Sequence, residues 1–113
     1  MRVIVSAGGT GGHIYPALAI IRVLKQKEKD FDLLYIGTTN RMESKIIPEE
    51  NIPYLGIEMQ GLNRKNPFQN VRVVSSLVHN ISFLKKEIRK FQPDIVIGVG
   101  GYVTFPVIYA AHQ

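Results

Sequence analysis

The feature that most constrains the fold of this chain is a repeated alternation of short apolar runs with longer helical patterns. The runs are nearly continuous in Val, Ile and Leu, which is typical of parallel strands covered by helices on both faces. In chain order they occupy residues 3–5, 33–36, 54–57 and 95–97. The alternation predicts an α/β domain with a Rossmann-like parallel sheet and helices on both of its faces.

Helices are predicted between and after these strands. The first is predicted to begin at Pro16, a favoured first-turn residue, and the second to cover residues 41–47, because Pro48 cannot continue it. Apolar residues at spacings of three and four predict a long third helix over residues 68–91. A last helix begins near Phe105, and the alternation stops at Gln113 without a closing strand. We therefore expect residues 1–113 to form one domain that lacks its last elements.

A glycine cluster, Ser6 to His13, lies directly between the first strand and the first helix, with four glycines in five positions. In an open parallel sheet this is where the ligand crevice lies. Glycine lets the backbone approach a ligand closely, and the N–H groups at a helix start attract an anion such as a diphosphate. The cluster predicts a phosphate or phosphosugar site, and the alternative is a turn that serves only packing.

Two common phosphate-binding motifs do not fit this cluster. The dinucleotide fingerprint fails because Ile14 replaces its last glycine and because Gly37, Thr38 and Thr39 stand where a ribose-binding acid belongs. The P-loop needs a lysine, and none occurs between Arg2 and Lys25. These departures argue against NAD binding and exclude ATP hydrolysis of the P-loop type.

A second glycine-containing loop, Gly98 to Thr104, follows the last strand and precedes the last helix. Both loops lie at the carboxyl ends of parallel strands, so they are predicted to face one crevice. Two such loops suit a substrate that carries more than one phosphate. A purely structural turn is again the alternative.

The composition leaves several anionic partners open. The formal charge is +5, which fits nucleic acid, anionic lipid or a phosphorylated substrate. The basic residues are not interleaved with aromatic side chains as in single-strand binders, so nucleic acid is disfavoured. There is no cysteine, which excludes thiol catalysis and Cys-ligated zinc. No signal segment or membrane span is recognised, so we expect a cytosolic protein that contacts a membrane surface at most.

Four motifs in order give a specific resemblance. They are GGTGGH at residues 8–13 followed by IYPALA, IGT at 36–38 with MES at 42–44, GL at 61–62 before a basic stretch, and PDIVIGVGGYV at 93–103. Together they resemble the lipid I N-acetylglucosaminyltransferase family over nearly the whole chain. The sequence departs from the family pattern at Thr104-Phe105-Pro106, where relatives often carry a small residue and then glycine before the proline.

The resemblance implies a GT-B architecture, in which two Rossmann-like domains face each other across a cleft. This chain corresponds to the N-terminal, acceptor-side and membrane-side domain, and the C-terminal donor domain is absent from it. The implied reaction is the inverting transfer of N-acetylglucosamine from UDP-N-acetylglucosamine to lipid I, which forms lipid II in peptidoglycan synthesis. The chain alone is expected to be a poor catalyst, and its full-length parent to lie at the cytoplasmic face of the bacterial cell membrane.

The resemblance also assigns roles to residues. His13 is the expected catalytic group, since histidine can accept a proton near neutral pH, although at a helix start it could instead only cap the backbone. Thr10, Gly11 and Gly12 are expected to contact the donor. The acceptor diphosphate is assigned to Gly9, Gly100, Gly101, Tyr102 and Thr104. No cofactor is expected to bind this domain, no metal site is predicted, and a requirement for a divalent cation stays open.

A basic and apolar stretch near the start of the third helix is a candidate for contact with an anionic membrane. Its members are Leu62, Arg64, Lys65, Pro67 and Phe68. The alternative is that its apolar residues belong to the core.

The remaining polar candidates have plainer interpretations. His79 and His112 have no partners at metal-ligand spacing and are interpreted as surface or packing residues. The Asp30-Phe31-Asp32 triplet matches a metal-binding pattern of other glycosyltransferases, but it precedes the second strand and is interpreted as a solvated turn. Glu43 and Ser44 could reach the crevice or cap a helix, and capping is favoured.

Two other functions remain compatible with the sequence. One is a related transferase that uses another lipid-linked acceptor. The other is a non-catalytic, membrane-docking subunit of a split transferase. A reading frame that continues into a second Rossmann-like domain would favour the enzyme.

Overall fold

The computed structural model describes residues 1–8, 11–27, 30–39, 41–58, 67–100 and 104–112, without the side chains of residues 67–77 and 105. Strands and helices alternate strictly along the chain. The elements are β1 (Arg2–Ala7), α1 (Gly11–Lys27), β2 (Asp32–Thr38), α2 (Glu43–Glu49), β3 (Tyr54–Ile57), α3 (Pro67–Phe91), β4 (Ile95–Gly100) and α4 (Thr104–His112). All the predicted strands and the long third helix are confirmed.

The four strands form one parallel sheet in the order β3-β2-β1-β4. From β1 the chain adds β2 and β3 on one side and then crosses over to place β4 on the other side. The direction of strand addition therefore reverses between β1 and β4. In open α/β sheets a ligand crevice forms at such a reversal, beyond the carboxyl ends of the strands.

Each face of the sheet has its own apolar core, because successive side chains of a strand point to opposite faces. Val3 and Val5 of β1 belong to the core that includes residues of α1 and α2, such as Ile21 and Ile47. Ile4 lies between them in sequence but belongs to the other core, with Leu84 of α3, Val107 of α4 and their neighbours. The predicted covering of both faces by helices is confirmed.

Two predicted helix boundaries are wrong. Helix α1 begins at Gly11, so Pro16 lies inside the helix and not in its first turn. Proline removes one helical hydrogen bond, but its fixed φ angle is compatible with a helix. Helix α2 spans Glu43–Glu49 and contains Pro48 in its last turn. Residues 41 and 42 instead form a turn, in which Ser44 N–H donates to the Arg41 carbonyl at 3.1 Å.

The end of β4 also differs from the prediction. The glycine loop was expected from Gly98, whereas the strand continues to Gly100. Ser6 pairs with Gly98 and Ala7 pairs with Gly100, so one extra residue of β4 is accommodated at this point. Such a bulge bends a strand locally, and here it adds one residue, Val99, to β4 beside the end of β1.

Candidate functional site

The candidate site lies at the carboxyl ends of β1 and β4. The β1–α1 segment and the β4–α4 segment meet there, as the sequence predicts, and the N–H of Gly8 donates to the Gly100 carbonyl at 3.1 Å. Of the residues expected to bind phosphate, Gly9, Thr10, Gly101 and Tyr102 lie outside the described residues. Their roles stay predictions.

The first turn of α1 presents backbone N–H groups at this edge. Gly11, Gly12 and His13 are its first three residues, and the first four N–H groups of a helix have no partner within the helix. No acidic side chain occupies this turn, and Gly12 is exposed. Because α1 begins at Gly11 and not at Pro16, these N–H groups belong to the helix start and can donate to an anion.

His13 packs directly on Gly100. A Cβ atom added to Gly100 would lie 2.7 Å from Cε1 and 3.3 Å from Cγ of the imidazole, and closest of all to Nδ1. Gly100 also has a φ of +140°, which side chains rarely adopt. Glycine is therefore required at this position for two reasons: the backbone conformation and the close approach of the His13 ring.

The carbonyl of Gly100 accepts two hydrogen bonds. One comes from Gly8 N–H, and the other comes from the hydroxyl of Thr104, the first residue of α4, at 2.8 Å. The same hydroxyl lies 3.4 Å from the Ser6 carbonyl. The methyl group of Thr104 lies over Gly98, where an added Cβ would approach it to 2.5 Å. Thr104 thus joins α4 to both β1 and β4 at the crevice.

A buried polar cluster, which the sequence analysis did not anticipate, lies at the end of β2. Glu43 is fully buried, and its Oε1 accepts hydrogen bonds from Thr38 N–H at 3.0 Å and from the Thr38 hydroxyl at 2.7 Å. The N-cap of α2 is Met42, with no side-chain cap. The favoured interpretation of Glu43 as a helix cap is therefore wrong: its carboxylate binds the strand end. Ser44 hydroxyl donates to the Arg41 carbonyl at 2.6 Å.

Two stacked tyrosines border Glu43. Tyr35 and Tyr54 have ring centroids 5.8 Å apart; Tyr35 donates to the Ala7 carbonyl at 2.6 Å, and Tyr54 donates to the Thr38 carbonyl. Burial raises the pKa of both hydroxyls far above the usual range, and the nearby Glu43 carboxylate raises it further. Both hydroxyls therefore stay neutral, and their hydrogen bonds fix the carbonyls at the ends of β1 and β2. In the sequence, the feature that could have indicated this buried polar cluster is the presence of two tyrosines in otherwise aliphatic strands.

Basic side chains collect at the other end of the molecule. Lys85, Lys86, Arg89 and Lys90 line a shallow surface depression near the end of α3. Helix α3 ends at Phe91 and β4 begins at Ile95, so this end of the helix lies beside the amino ends of the strands. These charges are therefore remote from the crevice.

The start of α3 lies on the crevice side. Asn80 Nδ2 donates to the Glu58 carbonyl, just after β3, at 2.6 Å. From Asn80 back to Pro67 the helix rises about 20 Å at 1.5 Å per residue. Among the membrane candidates, Leu62, Arg64 and Lys65 lie outside the described residues. Pro67 and Phe68 begin α3, and their side chains also lie outside the description.

The other polar candidates are exposed, as predicted, except that Asp32 is the first residue of β2 and not part of a turn. Asp32 forms an ion pair with Arg2 at 3.1 Å, and the Asp30 carbonyl accepts from the amino terminus, both at the amino ends of the strands. His79 and His112 are exposed. No group of three or more potential metal ligands occurs among the described residues.

The fold defines the class: an α/β domain with one parallel sheet, helices on both faces and a reversal of strand order between β1 and β4. The chain belongs to glycosyltransferase family 28, whose N-terminal domain profile matches residues 3–113. This membership confirms the resemblance seen in the motifs.

Named relatives make the placement within the family more specific. A protein of Bacillus pumilus is 50% identical over 113 residues, which are 100% of this chain and 31% of that protein. A protein of Bacillus cytotoxicus is 52% identical over 111 residues, 98% of this chain and 30% of its own length. Both are named UDP-N-acetylglucosamine–N-acetylmuramyl-(pentapeptide) pyrophosphoryl-undecaprenol N-acetylglucosamine transferase. The chain thus spans about a third of the length of these curated relatives.

Solved structures agree with this placement. The crystal structure of Acinetobacter baumannii MurG superimposes with a TM-score of 0.78 at 30% identity, covering 98% of this chain and 32% of that one. The glycosyltransferase VinC, solved in complex with DTDP, gives a TM-score of 0.63 at 14% identity, covering 99% of this chain and 32% of its own. At that identity VinC supports the fold alone.

Proposed function

We propose that the full-length protein containing this chain transfers N-acetylglucosamine from UDP-N-acetylglucosamine to the lipid-linked acceptor undecaprenyl-pyrophosphoryl-N-acetylmuramyl pentapeptide, lipid I. The observation that carries this proposal is the identity of 50–52% along essentially all of the chain to transferases named for that reaction. The product would be lipid II, the disaccharide-bearing precursor of peptidoglycan.

This chain would form the acceptor-side, N-terminal domain of a two-domain GT-B enzyme. The lengths of the relatives, about three times that of the chain, leave room for a second domain that supplies most contacts to the uridine nucleotide. Within this domain, Thr10, Gly11 and Gly12 would face the donor. Gly9, Gly100, Gly101 and Tyr102 would face the acceptor diphosphate, whereas the Thr104 hydroxyl, also expected from the sequence to do so, is directed to the Gly100 carbonyl.

His13 would act on the proton that the reaction releases. The acceptor sugar hydroxyl attacks the anomeric carbon of the donor, a new C–O bond forms, and the bond to the diphosphate breaks with its electron pair leaving on UDP. The hydroxyl proton passes to the His13 imidazole. The backbone N–H groups at the start of α1 would offset the negative charge of a nearby diphosphate.

Transfer of radiolabelled N-acetylglucosamine to a lipid I analogue tests the proposal in the full-length protein. The His13→Ala variant should lose roughly 10²–10⁴-fold in kcat, the usual contribution of a positioned acid or base. His79→Ala, an exposed histidine on α3, is the matched control and should keep wild-type activity. A folded wild-type protein that transfers nothing to lipid I would overturn the acceptor assignment and favour another lipid-linked acceptor.

We also propose that the full-length protein lies at the cytoplasmic face of the membrane as a peripheral protein. No helix in the described parts of the chain is long and apolar enough to cross a bilayer. Helix α3 extends about 20 Å from the level of β3 toward Pro67, and the stretch of Leu62, Arg64, Lys65, Pro67 and Phe68 is at its start. Basic and apolar residues together suit an anionic bilayer that presents a lipid-linked substrate.

Sedimentation with vesicles tests this docking. The full-length protein should bind vesicles that contain phosphatidylglycerol more tightly than neutral phosphatidylcholine vesicles. The Arg64→Ala/Lys65→Ala variant should lose most of the difference, since each basic residue near an anionic surface contributes about 1 kcal/mol. Lys25→Ala/Lys27→Ala, at the exposed end of α1, removes the same charge and should bind as wild type. Equal losses in both variants would show that only net charge matters.

A further inference from the structure

The Thr104 hydroxyl lies within hydrogen-bond distance of two backbone carbonyls, at 2.8 Å from Gly100 and 3.4 Å from Ser6, so it donates to the backbone. Its methyl group meanwhile lies over Gly98. Both contacts hold the last residues of β4 against the start of α4. Thr104 therefore contacts the backbone of β4 with both its hydroxyl and its methyl group.

Gly100, the residue that Thr104 holds, forms the surface on which the His13 imidazole lies. The three ring atoms nearest to its missing Cβ are Nδ1, Cε1 and Cγ. Nε2 is therefore farther from Gly100 than Nδ1 is. The packing directs the Nδ1–Cε1 edge of the ring toward β4, so we expect Nε2 to be the nitrogen that meets a substrate hydroxyl.

The position of Gly100 is set from two sides. Gly8 N–H, from the first glycine cluster, and the Thr104 hydroxyl both donate to its carbonyl. The bulge at Ser6 and Ala7 displaces the strand register at the same point, and bulges next to functional sites commonly redirect side chains. A rotation of the Gly100 peptide would move the surface under the imidazole directly.

We propose that Thr104 is a positioning residue for His13, acting through Gly100, so that the end of β4 and the first residue of α4 set the orientation of the catalytic imidazole. This inference rests on the proposed function for its kinetic consequence, although the orientation itself does not depend on which acceptor is used. It gives the hydroxyl at residue 104 a role that the direct binding of an acceptor phosphate would not require.

Thr104→Val and Thr104→Ser in the full-length protein separate the two roles. Valine keeps the shape and the methyl contact but removes the donor, whereas serine keeps the donor. Small misplacements of a catalytic group reduce rates by up to about 10²-fold. We expect Thr104→Val to lower kcat about tenfold or more, with KM for lipid I analogue and UDP-N-acetylglucosamine changed less than about threefold, and Thr104→Ser to restore most of kcat.

Two further measurements distinguish positioning from loss of folded protein. The acid limb of the kcat/KM pH profile should move in Thr104→Val, whereas partial unfolding would lower the amplitude of the profile without moving it. In protein labelled with ¹³C-histidine, the Cε1–H signal of His13, assigned with His13→Gln, should shift in Thr104→Val and return toward the wild-type position in Thr104→Ser.

The outcomes are distinct. A raised KM for the acceptor with unchanged kcat and an unmoved His13 signal would overturn the proposal and assign Thr104 to acceptor binding. Wild-type behaviour of Thr104→Val in every measurement would overturn it as well. If the wild-type protein transfers nothing to lipid I but the His13 signal still shifts in Thr104→Val, only the proposed function fails.

Discussion

Glu43 accepts hydrogen bonds from both the backbone N–H and the hydroxyl of Thr38, with its carboxyl group fully buried at the end of β2. The Thr38 hydroxyl in turn accepts from Arg41 N–H at 3.1 Å. The carboxylate therefore ties the last residue of β2 to the first residue of α2. This connection shapes the β2–α2 turn next to the candidate crevice.

Removal of this carboxylate should destabilise the protein strongly. Glu43→Ala leaves two buried donors of Thr38 without an acceptor, and each such loss costs about 1–3 kcal/mol. We expect the free energy of unfolding to fall by about 2–5 kcal/mol in urea denaturation followed by circular dichroism. Glu43→Gln keeps one acceptor oxygen and should lose less.

Glu50→Gln is the matched control for this prediction. Glu50 is exposed and lies 3.9 Å from Arg22, and exposed ion pairs contribute about 0–1 kcal/mol. If Glu43→Gln and Glu50→Gln lost the same small amount, the buried network would not stabilise the fold as we infer.

Alkaline pH should destabilise the protein through Tyr35. Burial raises the pKa of its hydroxyl above the usual range, and the Glu43 carboxylate adds to the effect. The folded state therefore keeps a proton that the unfolded chain releases near pH 10. By linkage, the neutral Tyr35 hydroxyl contributes its full share to the free energy of unfolding below about pH 10. That share decreases as pH rises further.

Urea midpoints at pH 9 and pH 11 measure this effect. The decrease between them should be smaller in Tyr35→Phe than in the wild type, although Tyr35→Phe starts lower because the Ala7 carbonyl loses its donor. Tyr15→Phe, which alters a 59% exposed side chain, should keep the full decrease. An undiminished decrease in Tyr35→Phe would assign the alkaline loss to other groups.

Gly98→Ala should disturb the contact between β4 and α4. The added methyl group would meet the Thr104 methyl at 2.5 Å and Ile108 Cδ1 at 3.1 Å, and overpacking of this kind costs about 1–3 kcal/mol. Urea denaturation should show that loss. At Gly56 of β3 the nearest atom would lie at 3.1 Å, so Gly56→Ala should cost less. The reverse order would contradict the close packing of α4 on β4.

Gln92→Gly should stabilise the protein. Gln92 follows α3 with a φ of +52°, a left-handed conformation in which glycine is favoured after a helix. Relief of the strain on a residue with a Cβ atom should raise the free energy of unfolding by about 0.5–1 kcal/mol. Asn51→Gly provides the comparison, because Asn51 has a φ of +58° but asparagine tolerates this region. A loss of stability in Gln92→Gly would contradict the assigned backbone conformation.

Local patterns in the sequence were sufficient for most of the secondary structure. The strands are short aliphatic runs, and α3 has apolar residues at helical spacing over all its turns, so neither depends on distant contacts. The predicted start of α1 and end of α2 were wrong because the effect of proline depends on its place within the helix. The end of β4 was missed because a bulge is defined by the partner strand.

The sequence by itself determined the parallel α/β class, the position of both glycine segments at strand ends, and the motifs that identify the family. Only the tertiary structure decided that β4 lies beside β1, that His13 packs on Gly100, and that Glu43 binds the end of β2. These three features are contacts between residues far apart in sequence, and they depend on the order of the strands in the sheet. Residues 13 and 100 are brought together because α1 packs on the sheet in which β4 lies beside β1, and no local periodicity encodes that contact.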